Sequence, residues 1–214
     1  MSLLVKICGL STRSSVEAAI DAGADMVGFV FFPKSPRHVS LDAVTALGDV
    51  ARGRAAIVAL TVDAQEEALS EIIASLRPDL MQLHGQETPE RVAHLRAKFN
   101  LPMMKAVGVA HRGDLGAAHA YSTADRLLID AKASADAVLP GGNGRSFDWR
   151  LLDGFVSPAP LMLSGGLDAG NVGEAIRVAR PAGVDVSSGV ERAPGLKDDA
   201  MITAFVRAAR AAAG

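Results

Sequence analysis

LLVKICG, residues 3–9, is a short apolar run that stops at a glycine. A run of this length that ends at a glycine indicates a buried strand, and a strand buried on both faces belongs to a parallel sheet. Because side chains alternate along a strand, Leu4, Lys6 and Cys8 share one face, and the opposite face is wholly apolar. The stretch therefore predicts a strand that packs on helices through one face and carries an amine and a thiol on the other.

Further apolar runs follow along the chain, each succeeded by a segment with helical start and stop signals. The predicted strands are 3–9, 25–32, 55–62, 79–84, 102–107, 125–130, 161–164 and 183–187, and the predicted helices are 15–22, 40–52, 63–76, 88–99, 112–121, 147–155, 168–180 and 197–213. Strict alternation of strand and helix implies a parallel sheet, and eight such units favour an α/β fold, a single-domain (β/α)8 TIM barrel. An open doubly wound sheet is the alternative, but CGLS at 8–11 is not its phosphate fingerprint.

The composition is typical of one globular domain over residues 1–214, with 49% hydrophobic residues, 21% charged residues and a net charge of −2. No basic patch stands out, so nucleic acid is not an expected partner. No apolar run approaches the roughly 20 residues of a membrane helix, and the N-terminus lacks a signal-peptide layout. One cysteine excludes an internal disulfide and a cysteine-based zinc cluster. We therefore expect a cytoplasmic protein without metal or membrane contact and, lacking an obvious exposed apolar stripe, a monomer.

Catalytic groups of such a barrel lie at the C-terminal ends of the strands and in the loops that follow them. The polar residues at those places are Cys8, Arg37, Gln82, His84, Asp130, Ser164-Gly165-Gly166 and Ser187-Ser188-Gly189. Gln82 and His84 share one strand face, as Lys6 and Cys8 do, and that face must be the barrel interior. Glycines let backbone N–H groups approach an anion, and the loops after the seventh and eighth strands commonly hold phosphate. The pattern predicts a phosphorylated substrate.

Each of these residues also has a structural interpretation. A single buried cysteine is usually a small core residue, a histidine can be a satisfied core group, and an aspartate can cap a loop. Arg37 could be a solvated loop charge, and Gly141-Gly142-Asn143-Gly144 a flexible turn. Lys6 is expected to neutralise an interior carboxylate such as Asp185. Three aspartates lead into strands and could cap backbone N–H groups at the bottom of the barrel: Asp25, Asp79 and Asp185.

Taken together, these motifs resemble phosphoribosylanthranilate isomerases. The resemblance rests on Lys6-Ile7-Cys8-Gly9, Gly23-Ala24-Asp25, Gly28-Phe29-Val30-Phe31, Ser35-Pro36-Arg37, Gln82-Leu83-His84-Gly85, Leu128-Ile129-Asp130, Gly141-Gly142-Asn143-Gly144 before Phe147-Asp148-Trp149, Ser164-Gly165-Gly166-Leu167 and Val184-Asp185-Val186-Ser187-Ser188-Gly189-Val190-Glu191. The match runs in order over nearly the whole chain. It departs at Asn143, where we expect a threonine, and this concerns the conformation of that loop.

The resemblance implies an isomerase of tryptophan biosynthesis, a branch of aromatic amino-acid biosynthesis. It would convert N-(5-phosphoribosyl)anthranilate to 1-(2-carboxyphenylamino)-1-deoxyribulose 5-phosphate by an Amadori rearrangement that needs no cofactor. By the same resemblance Cys8 is the general base, Asp130 the general acid, and Arg37 binds the anthranilate carboxylate, with Gln82 and His84 also contacting substrate. Phosphate would be held by Gly142, Gly144, Gly165, Gly166, Ser187, Ser188 and Gly189. A base must be a thiolate, so we expect a lowered pKa for Cys8, with Lys6 as the nearby cation.

Two other functions stay open at this point. One is the related ProFAR isomerase reaction of histidine biosynthesis, also an Amadori rearrangement on a barrel. It would be expected to use paired aspartates and two phosphate sites, whereas this chain has a cysteine and one phosphate loop region. The other is a barrel that binds phosphate without catalysis, which would bind the substrate without turning it over.

Overall fold

Eight parallel strands form one closed barrel in the computed structural model, which describes residues 3–133, 141–142, 144 and 146–214. The strands are β1 Leu4–Cys8, β2 Met26–Phe31, β3 Ala56–Thr61, β4 Leu80–Leu83, β5 Met103–Val109, β6 Arg126–Ala131, β7 Leu161–Leu163 and β8 Gly183–Val186. They neighbour one another in sequence order, and β8 pairs with β1 to complete the ring. The predicted (β/α)8 barrel is confirmed, and the open doubly wound sheet is excluded.

Helices surround this ring on its outer face. They are α1 Arg13–Asp21, α2 Leu41–Ala51, α3 Glu66–Leu76, α4 Pro89–Phe99, α5 Leu115–Ala118, α6 Val172–Ala179 and α7 Asp199–Ala213. After β8 the chain makes a 3₁₀ turn, Ser188–Val190, and then a small antiparallel hairpin of β9 Glu191–Ala193 and β10 Leu196–Lys197. Within the part of the chain that the structure describes, no helix has both the length and the apolar character needed to cross a membrane.

Several predicted helices are shorter than expected. The segment 112–121 forms a 3₁₀ turn, α5 and a second 3₁₀ turn, because Gly113 and Gly116 weaken a continuous helix. Only Trp149–Leu152 of the predicted helix 147–155 is helical, as a 3₁₀ turn. The helix predicted from residue 168 begins at Val172, because Asp168 and Asn171 form a hydrogen-bonded turn before it.

The helix caps agree with the sequence in part. Ser40 caps α2, and Thr88 caps α4 ahead of a proline at the first turn. Ser14 and Glu17 have the spacing that predicts a capping box, but the cap of α1 is Thr12, whose side chain accepts the hydrogen bond from the N–H of Ser15. Asp63 and Glu66 also have this spacing, but no side chain caps α3, and the Asp63 side chain accepts instead from the N–H of Gln86.

Aspartates close the N-terminal end of the barrel. Asp25 Oδ2 accepts from the N–H of Val5 at 2.7 Å, and Asp79 Oδ2 accepts from the N–H of Ile57 at 2.7 Å. The prediction of backbone capping is confirmed for these two residues, and Asp125 does the same for the N–H of Met103 at 2.9 Å. Asp185 differs, because it lies within β8 and pairs with Lys6 inside the barrel.

The barrel interior is apolar towards its N-terminal end and polar towards the other. A buried cluster fills the lower part: Met26, Val58, Leu80, Met104, Ala106, Leu128 and Met162. Above it, the fully buried Lys6 contacts Asp185 through Nζ and Oδ1 at 2.7 Å. The expectation that Lys6 neutralises an interior carboxylate is confirmed. This ion pair lies between the apolar cluster and the polar groups at the strand ends, and we call it the floor of the polar end.

The Asp25 cap should be measurable as stability. Replacing Asp25 with alanine leaves the N–H of the fully buried Val5 without its acceptor and removes an ion pair with Arg210 of α7. We expect Asp25→Ala to lower the free energy of unfolding by about 1–3 kcal/mol in urea titrations. Asp21→Ala is the control, because Asp21 makes only an exposed pair with Arg54 among the described residues, and should cost less than about 1 kcal/mol. Equal losses in the two variants would contradict the capping role.

Candidate active site

A cavity opens at the C-terminal ends of the strands, with about 810 Å³ of empty space when the open solvent at its mouth is included. Its lining includes most of the residues predicted from the sequence: Cys8, Arg37, Gln82, His84, Asp130, Gly142, Gly165, Gly166, Ser187 and Ser188. Gly144 and Gly189 do not line it; Gly144 lies beside Ser188, and Gly189 packs against the backbone of Leu167. Asn143 and residues 134–140 of the loop after β6 lie outside the described residues. The barrel thus gathers residues from distant parts of the chain around one space.

Cys8 ends β1 at the bottom of this cavity and is only 3% exposed. Its strand neighbour across the β1–β2 ladder is Gly28. Burial raises the pKa of the Cys8 thiol; Lys6 opposes this shift and Asp185 reinforces it, so the net direction is upward. The expectation of a lowered pKa is wrong for the protein without substrate, because desolvation of the thiolate outweighs the attraction of the lysine.

Asp130 is the penultimate residue of β6 and is held by two hydrogen-bonding groups. Its Oδ1 accepts from the N–H of Ala131 at 2.8 Å, and its Oδ2 lies 3.2 Å from Nε2 of His84. The other ring nitrogen of His84, Nδ1, lies 2.9 Å from the amide Nε2 of Gln82. With the amide in this orientation its nitrogen donates to Nδ1, which leaves Nε2 facing Asp130. Gln82 and His84 therefore orient the carboxyl of Asp130.

The loop after β6 lies directly against this pair. A Cβ on Gly141 would lie 2.5 Å from Nε2 of His84 and 2.6 Å from Oδ2 of Asp130. Only glycine lets the backbone approach so closely. The neighbouring carbonyl of Gly142 accepts a hydrogen bond from Nη2 of Arg37 at 3.3 Å. The described part of this loop thus bridges the arginine side and the aspartate side of the cavity.

Arg37 is buried and held by a carboxylate that sequence reasoning did not single out. Its Nε and Nη2 donate to the two oxygens of Glu191 at 2.7 and 2.8 Å. Such a two-point contact fixes the plane of the guanidinium and places a cation in the cavity wall. Glu191 belongs to the motif after β8, but nothing in the local sequence indicates that it pairs with a residue 154 positions away.

Lys197 is the second missed residue. Its buried Nζ donates to Oε1 of Glu191 at 2.8 Å and to the carbonyl of Ser187 at 2.8 Å. Burial lowers the pKa of Lys197, and Glu191 works against that shift. Burial alone would raise the pKa of Glu191, but Arg37 and Lys197 hold it below its ordinary value. Through Glu191 and Lys197, the hairpin after β8 therefore connects Arg37 to the loop that contains Ser187 and Ser188.

The loops after β7 and β8 form a rim suited to an anion. Gly165 and Gly166 adopt positive φ angles of 90° and 62°, which keep the backbone of this turn close to the cavity. Ser187 and Ser188 line the same side, and Lys197 places a cation behind Ser187. Among the described residues, no group of three histidine, cysteine or acidic side chains is arranged to hold a metal ion.

The Glu191 contacts generate a prediction about pH. Because the pKa of Glu191 is lowered in the folded state, its ionised form stabilises the fold above the unfolded pKa of about 4.3, and this contribution is lost as the pH falls through the folded value. Glu191→Gln leaves two buried cations without their anion and should cost about 3 kcal/mol or more at pH 7. In urea titrations the difference from wild type should shrink below about pH 4. Glu67→Gln, at an exposed position, is the control; a pH-independent deficit for Glu191→Gln would contradict the assignment.

Comparison with known proteins gives consistent matches. The family model described as N-(5'phosphoribosyl)anthranilate (PRA) isomerase matches residues 5–208. A protein named N-(5'-phosphoribosyl)anthranilate isomerase from Rhodopseudomonas palustris (strain HaA2) is 59% identical over 212 residues, 99% of this chain and 97% of that protein. A namesake from Bradyrhizobium sp. (strain BTAi1 / ATCC BAA-1182) is 58% identical over 213 residues, 99% of this chain and 97% of that protein.

Solved structures give the same result. The crystal structure of phosphoribosyl anthranilate isomerase from Thermotoga maritima is similar with a TM-score of 0.88 and 34% identity, covering 98% of this chain and 99% of that one. A phosphoribosyl anthranilate isomerase in complex with reduced 1-(o-carboxyphenylamino)-1-deoxyribulose 5-phosphate has a TM-score of 0.85 and 33% identity, with the same coverage of both chains. The similarity therefore extends over the whole barrel in sequence and in structure.

Proposed function

Because the chain belongs to the N-(5'-phosphoribosyl)anthranilate isomerase family and is an isomerase of tryptophan biosynthesis, we propose that Cys8 and Asp130 are the base and the acid of its Amadori rearrangement. The observation that carries this proposal is that both side chains line one cavity from different strands. The short way round the ring from β1 to β6 passes through β8 and β7. A phosphate on the loops after β7 and β8 would thus be anchored between the two groups, with the ribose extending over the barrel mouth.

The rearrangement needs proton transfers at two places on the sugar. Asp130 donates a proton to the ring oxygen, the furanose opens and a Schiff base forms at C1′. The Schiff base acidifies the C2′ proton, and the Cys8 thiolate removes it to give the enolamine. The enolamine then tautomerises to the ketone product. Cys8 releases the proton it took to solvent in the cavity and Asp130 takes one up, so atoms and charge balance over the cycle without an added reactant. Acid–base catalysis of this kind asks for two groups on different sides of the sugar, as β1 and β6 provide.

The remaining cavity residues fit the ends of the substrate. The guanidinium of Arg37 suits the anthranilate carboxylate. Its two hydrogen bonds to Glu191 keep the guanidinium oriented before substrate binds. Gly165, Gly166, Ser187 and Ser188 are the phosphate rim, with Gly142 beside Arg37. Gly144 and Gly189 lie off the cavity and would contribute through the shape of their loops. His84 and Gln82 act on the substrate chiefly by holding Asp130.

Two expectations about the whole protein stay predictions: that it is a monomer and that it is cytoplasmic. One related structure is described as the mutually generated monomers of a dimeric isomerase from Thermotoga maritima. Size-exclusion chromatography with light scattering would decide the oligomeric state of this chain.

The base and acid roles predict large losses of turnover. Cys8→Ala and Asp130→Asn should each lower kcat by about two or more orders of magnitude, because each removes one proton-transfer group. The measurement is the loss of fluorescence of phosphoribosylanthranilate. Wild-type turnover in this assay also separates the isomerase from a barrel that only binds phosphate. Near-normal kcat in either variant would reject the role of that residue.

The Arg37 role predicts a different kinetic signature. Arg37→Ala should raise KM with a smaller effect on kcat, because it removes a contact that both substrate and transition state use. Lys34→Ala is the matched control, since Lys34 is exposed on the same loop and should leave both constants unchanged. A change confined to kcat in Arg37→Ala would contradict carboxylate binding.

A further inference from the structure

The Cys8 side of the cavity contains a buried chain of charged and polar groups that the mechanism above does not use. Nζ of Lys6 contacts Oδ1 of Asp185 at 2.7 Å, and Oγ of Ser164 donates to Oδ2 of the same carboxylate at 3.1 Å. Lys6 has no exposure to water, and Asp185 is 4% exposed. A buried lysine has few ways to keep its charge, so the groups around its ammonium determine what that charge does.

Gly28 leaves a space that the ammonium and the sulfur share. A Cβ on Gly28 would lie 3.1 Å from Sγ of Cys8 and 3.1 Å from Nζ of Lys6. Both atoms therefore face the same small gap on the β2 side of the barrel, with no side chain of Gly28 between them. The ammonium contacts Asp185 of β8, and the sulfur of Cys8 faces the same gap at Gly28.

We propose that Lys6 is a positioning residue for the base, whose ammonium stabilises the Cys8 thiolate while Asp185 competes for the same ammonium. This inference rests on the proposed role of Cys8. When the base forms, the S–H bond breaks, its electron pair stays on sulfur, and the proton leaves to solvent in the cavity. The thiolate then takes the C2′ proton and becomes a thiol again. Lys6 keeps its proton throughout.

The electrostatics around the sulfur agree with this division of roles. Burial raises the pKa of Cys8, Lys6 acts to lower it, Asp185 acts to raise it, and Lys197 from the hairpin adds a smaller lowering effect. Burial would lower the pKa of Lys6, but Asp185 and Cys8 together hold it above its ordinary value, so the ammonium persists. The other charged or titratable groups that line the cavity are Arg37, His84, Asp130 and Lys132.

The experiment uses Cys8 as its own reporter, because it is the only cysteine in the chain. The rate of alkylation by iodoacetamide is measured against pH, and the midpoint of the profile reports the thiol pKa independently of access to the cavity. Lys6→Met should move the midpoint up and slow alkylation at pH 7 by about tenfold or more, since an opposite charge nearby commonly shifts a pKa by a unit or more. Asp185→Asn should move the midpoint down.

Opposite shifts separate this role from a structural one, because general loss of packing would not change sign between the two variants. Lys105→Met is the matched control: Lys105 is also a buried lysine paired with a carboxylate, Glu87, but lies outside the Cys8 network, and its removal should leave the midpoint unchanged. An unchanged midpoint in Lys6→Met, or shifts of the same sign in Lys6→Met and Asp185→Asn, would overturn the inference.

If circular dichroism shows that Lys6→Met does not fold, Asp185→Asn alone tests the inference. An unchanged or raised midpoint in Asp185→Asn would then overturn it. The alkylation measurement does not depend on turnover. If Cys8→Ala retains activity, the proposed function fails for Cys8 even where the midpoints shift as expected. If Cys8→Ala is inactive and the midpoints do not shift, the inference about Lys6 fails and the role of Cys8 stands.

Discussion

The ion pair between Lys6 and Asp185 lies at the seam where β1 meets β8 and the barrel closes. The two residues are direct neighbours in the strand register, so pairing the strands also pairs the charges. Removing either charge alone would leave the other buried and uncompensated, which is far more costly than losing a surface pair. The same Lys6–Asp185 ion pair therefore closes the barrel and lies beneath the polar groups of the cavity, and the position of Cys8 at the end of β1 depends on it.

The two ends of the barrel are stabilised in different ways. At the N-terminal end, an apolar cluster fills the interior, and Asp25, Asp79 and Asp125 satisfy backbone N–H groups. At the C-terminal end, the buried groups are ionic, as in the contact of Glu191 with Arg37 and Lys197. Charge-assisted hydrogen bonds of this kind hold their side chains in defined positions. The polar end consequently fixes the geometry that catalysis needs, while the apolar end carries the packing.

The barrel and several of its cavity residues are predictable from local features of the sequence, namely periodicity and strand ends. The alternation of apolar runs and helical segments predicts the barrel, and the rule that chemistry collects at strand ends selects Cys8, His84 and Asp130. The Glu191–Lys197 hairpin is not predictable from the sequence, because strands of two or three residues carry no periodic signal, and the helix predicted from Lys197 begins at Asp199 instead. The pKa of Cys8 was expected in the wrong direction, since the sequence shows a lysine on the same strand face but not how fully the sulfur is desolvated.

The raised pKa of Cys8 also bears on the chemical durability of the protein. Peroxides attack the thiolate form of cysteine, and a sulfur that is mostly protonated reacts with them slowly. Burial therefore shields the single thiol from conversion to sulfenic and sulfinic acids in the free protein; under the role proposed for Cys8, little base would then be ready before substrate binds. The same desolvation that would slow proton removal by Cys8 thus preserves the group proposed to perform it.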